Sequence, residues 1–123
     1  MQLNLDDKAT PYLVRGYGDG EIKIGNTVYR ESVLVSRDGV EPWPVAAVEA
    51  LADANWDAVA ATGATIVVLG TGPTMTFPPP QVTAQLARRG VGLEVMDTAA
   101  ACRTFNVLAN EGRPVAAIFL LGA

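Results

Sequence analysis

From Ala54 to Leu121 helix-forming and strand-forming stretches alternate three times with short connections, and this alternation restricts the architecture more than any other feature. The Ala-rich stretch after Val45 has good helix propensity, and Asp53 as an N-cap predicts a helix from Ala54 to Thr62, closed by Gly63. Thr65-Ile66-Val67-Val68-Leu69 is a continuous β-branched, apolar run, as expected of a strand covered on both faces. Gly70-Thr71-Gly72-Pro73 stops it, and Pro78-Pro79-Pro80 leads into a helix ending at Arg89 and Gly90. Val91, Leu93 and Val95 alternate in a second strand. Asp97 or Thr98 then caps a helix to about Asn110, and Val115 to Leu121 is the last strand. A series of this kind argues for parallel strands joined by right-handed crossovers.

The first third has a different period. Tyr12–Tyr17, Glu21–Ile24, Thr27–Arg30 and Ser32–Ser36 read as short strands, with Gly25-Asn26 as a two-residue hairpin turn and Arg37-Asp38-Gly39 as another turn. Glu41-Pro42-Trp43-Pro44 is too rich in proline for a helix interior. The predicted fold is α/β: an N-terminal antiparallel β-meander packed with a mixed, partly parallel sheet and helices, in layers. Residues 1–123 are read as a single domain.

Two counts narrow the chemistry. The chain has no histidine, which excludes imidazole bases, Ser-His or Cys-His dyads and His-ligated metals. Its one cysteine, Cys102, excludes an intrachain disulfide and a Cys-rich metal site. No metal, cofactor or catalytic residue is assigned. The net charge of −4 and the lack of a Lys/Arg cluster beyond Arg88-Arg89 disfavour nucleic acid. The longest apolar run, Val115 to Leu121, is too short to span a bilayer, and Met1 to Asp7 lack the pattern of a signal peptide. The chain is read as cytoplasmic and bacterial, not membrane-spanning.

Two strand ends draw a ligand hypothesis. Gly70-Thr71-Gly72 closes one strand, and glycines there let a ligand approach the backbone; the alternative is a tight strand-to-loop turn. It is neither a dinucleotide fingerprint nor a phosphate P-loop. At Met96-Asp97-Thr98 a second strand passes directly into a helix whose free N–H groups would face the same rim. Ala101, Cys102, Phe105, Leu108 and Ala109 form that helix's apolar stripe, leaving Arg103 and Asn106 on the other side. The candidate ligand-binding set is Gly70, Thr71, Gly72, Asp97, Thr98, Arg103 and Asn106, pictured as a notch lined with amides and guarded by a guanidinium, suited to a small anion. The competing reading makes Asp97 a plain N-cap and Arg103 a solvated or ion-paired side chain. Cys102 is read as a small buried hydrophobe, and Trp43 and Trp56 as packing residues. Glu94 and Glu111 are assigned to ion pairs with arginines.

Several of these segments resemble a known family. Gly70-Thr71-Gly72, Phe77-Pro78-Pro79-Pro80, Glu94-Val95-Met96-Asp97-Thr98, Ala100-Ala101-Cys102-Arg103-Thr104 with Asn106, and Glu111-Gly112-Arg113 are similar to the domain of unknown function 498 family. Gly16-Tyr17, Gly20, Ile22 and Trp43 extend the likeness over nearly the whole chain. The chain departs from the pattern at Phe105, where a tyrosine is usual, and at Thr65-Ile66, which follows Ala-Thr-Gly where an acidic Pro-Glu pair often stands. The resemblance implies a compact α/β fold with a β-sheet layer beside a mixed sheet and helices. The family includes the mitochondrial complex I assembly factor 3, which assists assembly of the membrane-bound NADH dehydrogenase and is not known for catalysis. The expected function is therefore a non-catalytic binding or assembly-assisting protein, whose partner would be a protein of membrane-complex assembly. The alternative is a small-ligand (anionic metabolite) binder, or a histidine-independent enzyme, using the Gly70–Gly72/Asp97–Arg103 rim.

Overall fold

A computed structural model describes residues 10–122, so the reading of Met1 to Asp7 lies outside the described residues. The meander is a three-stranded antiparallel sheet of β1 (Val14–Gly18), β2 (Glu21–Ile24) and β3 (Thr27–Tyr29). Its turns follow from backbone sterics. Asp19 and Gly20 link β1 to β2 with φ of 54° and 76°, the left-handed pair that a tight hairpin with the right twist requires. Gly25-Asn26 forms the predicted second turn, with Ile24 opposite Thr27.

The second sheet has five strands in the order β5-β4-β8-β6-β7, where β4 is Val33–Ser36, β5 Gly39–Pro42, β6 Ile66–Gly70, β7 Gly92–Met96 and β8 Val115–Phe119. β6 pairs in parallel with both β7 and β8, while β4 runs antiparallel to β8 and to β5. The sheet is thus mixed, and its parallel part is the predicted alternating segment. β5 was not expected as a strand. Pro42 closes an edge strand, one of the few places in a sheet where a missing N–H is harmless.

Among the described residues three α-helices and one 3₁₀ helix cover the second sheet: the 3₁₀ helix Val48–Asp53, α1 (Trp56–Ala60), α2 (Pro80–Arg88) and α3 (Thr98–Asn110). Asp53 is the last residue of the 3₁₀ helix and not an N-cap. Asn55 caps α1 instead, its side chain accepting the Ala58 N–H. Strand alternation sorts the buried residues into two cores. On one face Val67, Leu69, Ala116 and Ile118 pack with Leu51, Trp56, Val59, Val82 and Leu86. On the other Val68, Val115, Ala117 and Phe119 pack with Ala101, Cys102, Phe105 and Ala109 of α3, and with Val14, Ile22 and Ile24 of the meander. The layers are therefore α1/α2, the large sheet, and α3 beside the small sheet.

Both tryptophans are buried in the α1/α2 core with ring centroids 5.3 Å apart. Trp56 Nε1 donates to the Leu51 carbonyl, whereas Trp43 Nε1 has no partner among the described residues. The chain moves from β6 to one neighbour through α2, then back past β6 to its other neighbour through α3 on the opposite face. Crossovers of one hand require that switch of face when the direction of travel reverses. It also marks the β6–β8 junction as the place where a crevice forms at the carboxyl ends of the strands.

Candidate functional site

The two strand-to-helix junctions singled out from sequence do lie side by side. The Thr71 N–H donates to the Met96 carbonyl at 3.1 Å, and the Thr98 N–H to the Gly72 carbonyl at 2.8 Å. Their amides are spent on each other. Thr98 is fully buried, and its Oγ1 accepts the Gly72 N–H at 2.7 Å. Asp97 is the N-cap of α3, its carboxylate accepting the Ala100 N–H at 2.9 Å. Thr71 Oγ1 donates to the Thr74 carbonyl and accepts the Thr76 N–H, which folds the following loop back on itself.

Gly70 has a steric reason to be glycine. A Cβ there would lie 3.0 Å from Thr98 Oγ1 and 3.1 Å from both the Thr98 Cα and the Ala101 Cβ, so the close approach at Gly70 is to α3. Gly72, with φ of 100°, holds a left-handed conformation in open space.

Asn106 is turned to structural use. Its Oδ1 accepts the Val14 N–H at 2.9 Å and its Nδ2 donates to the Val14 carbonyl at 2.8 Å, tying the small sheet to α3 across 92 residues of sequence. Arg103 is exposed on α3. Cys102 is buried, and desolvation pushes its thiol up to about 11 in spite of the neighbouring Arg103, which acts to lower it. Burial and the raised pKa together leave little reactive thiolate at neutral pH. Native protein is therefore expected to react with a maleimide at least about 100-fold more slowly than urea-unfolded protein; equal rates would show an open thiol. Of the carboxylates assigned to ion pairs, Glu111 lies 3.8 Å from Arg113, while Glu94 has no such partner among the described residues.

A cleft of about 680 Å³ does open at the β6–β8 junction. Thr71 and Gly72 line it from β6, and Leu120, Leu121 and Gly122 follow from β8. Its other walls are the β1–β2 turn, with Tyr17 and Asp19, and the entry to the 3₁₀ helix, with Val48 and Glu49. Of the seven residues chosen from sequence, Thr71 and Gly72 line the cleft; Gly70, Asp97, Thr98, Arg103 and Asn106 do not. Among the described residues Asp19 and Glu49 are its only charged lining groups, and no guanidinium stands over it. Asp19 and Glu49 escape sequence reasoning because they reach the cleft from segments remote from β6. The left-handed turn around Gly18-Asp19-Gly20 was the one available hint.

Beside the cleft the loop from β6 to α2 exposes large apolar groups: Phe77 is 71% and Met75 46% accessible, and their neighbour Thr76 lines the cleft. No Asp, Glu, Lys or Arg occurs between Ala58 and Ala87, so this protrusion carries no charge.

Comparison with known proteins gives a consistent set of relatives. The sequence profile of a family described as "Protein of unknown function (DUF498/DUF598)" matches residues 14–120. A solved solution structure of a Xanthomonas campestris protein is 36% identical, with a TM-score of 0.78, covering 99% of this chain and 93% of that one. The "13 kDa major membrane protein" of Francisella tularensis is 25% identical over 98% of this chain and 99% of its own length. The mouse protein "NADH dehydrogenase [ubiquinone] 1 alpha subcomplex assembly factor 3" is 46% identical over 55 residues, which is 45% of this chain and 30% of that protein.

Proposed function

The chain belongs to the DUF498/DUF598 family, and from that premise we propose that it is a non-catalytic, assembly-assisting protein that binds a protein partner through the β6–α2 loop and the cleft beside it. The observation that carries the reading is the charge-free loop with Phe77 and Met75 in solvent. Exposed apolar groups next to a concave surface are a common feature of protein interaction sites. The likeness to the mouse assembly factor supports the class of partner, a subunit of a membrane-bound complex. No helix among the described residues is long and apolar enough to cross a membrane. We place the protein in the cytoplasm, where it would meet such a subunit before or during insertion.

A small ligand in the same cleft is the second reading, favoured by a volume within the ~300–1,000 Å³ typical of ligand pockets. An anionic metabolite gains no support, because the described lining residues offer two carboxylates and no cation. Thr71 and Gly72 stay in the proposed binding surface under either reading.

Placing a photo-crosslinking phenylalanine analogue at position 77 tests the proposal in the source cell. Illumination is expected to link the protein to a discrete membrane-complex subunit, and Met75→Ser in the same chain to reduce the yield about fivefold or more. Adducts no more abundant than those from the analogue placed at exposed Ala99 on α3 would overturn it.

A further inference from the structure

We infer that the partner segment seated in the β6–β8 cleft is a cationic one, a Lys or Arg flanked by aliphatic or aromatic residues. The inference rests on the partner-binding reading and adds the chemistry of the bound segment. The floor and one wall of the cleft are apolar, from Leu120, Leu121, Ala46, Ala47 and Val48. Two carboxylates border it, Asp19 at the tip of the β1–β2 turn and Glu49 at the start of the 3₁₀ helix, and among the described residues no Lys or Arg lines it. Neither carboxylate is engaged in an ion pair among the described residues, although Glu21, close to Asp19 in sequence, is held by Arg30 at 3.2 Å. A partner that covered the cleft with an apolar or acidic segment would strip water from Asp19 and Glu49 and give nothing in return. A partner with one cation among apolar residues satisfies the carboxylates, and its apolar neighbours cover Met75 and Phe77. The chain's net charge of −4 favours approach of a basic segment over an acidic one.

The test is selection from a randomised phage-displayed peptide library on the whole protein, followed by anisotropy titration of the recovered peptides. Asp19→Asn/Glu49→Gln is the discriminating variant, since asparagine tolerates the left-handed backbone at position 19. Recovered peptides are expected to pair Lys or Arg with Leu, Phe or Trp. They should bind the double variant about tenfold more weakly, and weaken again as salt is raised. In a ¹⁵N spectrum they should shift Gly18, Gly20, Glu49 and Gly72. Phe77→Ser separates the two ideas. Binding lost with Phe77→Ser and unchanged in the double variant leaves the partner-binding reading standing and overturns the cationic one. Peptides insensitive to both variants, or none recovered, overturn both. So does binding to phosphatidylcholine vesicles through Phe77 in place of peptide.

Discussion

Phe105→Ala is expected to cost about 3–5 kcal/mol of folding free energy, roughly a third or more of what a domain of this size commonly has. Phe105 is fully buried in α3 and meets Phe119 of β8 edge-on, with centroids 6.3 Å apart and ring planes at 88°. The same core receives Val14, Ile22 and Ile24 from the small sheet, so the ring lies where α3, β8 and the small sheet converge. Truncation leaves a void that neighbours on three separate elements cannot close together. Urea denaturation should show a lower midpoint with an unchanged slope, since the surface exposed on unfolding stays the same. A loss under about 1 kcal/mol would show that the core collapses around the alanine.

Asn106→Leu should cost about 2–4 kcal/mol, and its loss should be local. Leucine keeps the volume but removes both bonds to Val14, leaving one donor and one acceptor of β1 without partners where α3 covers them. Hydrogen exchange is the suitable measurement. Amides of β1 and β2 should exchange faster by a larger factor than those of β6 and β8, whose ladder is untouched. Asn106→Asp keeps the acceptor for the Val14 N–H and loses the donor, so it should fall between wild type and leucine. Uniform acceleration across both sheets would show that the small sheet does not open on its own.

These two residues show what could be read from the sequence and what could not. Phe105 was placed correctly, because a helical stripe of apolar residues has only one face to bury. The same local logic found β6, β7 and β8 to within one or two residues, and narrowed the cap of α3 to Asp97 or Thr98, of which the structure takes Asp97. Asn106 is set off that stripe by its spacing and was assigned to a ligand notch, but its partner is Val14, and nothing local to either residue announces a bond between them. Gly70 is a case where residue type was informative and its cause was hidden: a close approach was inferred, and the approaching group is α3. The Asn55 cap lay two residues from the expected one, in a stretch where Asp53 and Asn55 offer the same capping chemistry. β5 was missed because proline argues against a strand unless the strand is known to be at an edge. The cleft was beyond reach for a related reason. Its walls come from four separate chain segments, and only the β6 segment bears a recognisable motif.

The separation of the two sheets has a mechanical consequence. One jaw of the cleft, the Tyr17–Gly20 hairpin, belongs to the three-stranded sheet, and the opposing one is built on the five-stranded sheet; among the described residues no backbone ladder runs between them. The gape can therefore change without breaking a single strand pairing, with the Val14–Asn106 clasp on the flank of α3 as a restraint. A substitution on that flank, remote from anything a partner touches, would retune how wide the mouth rests.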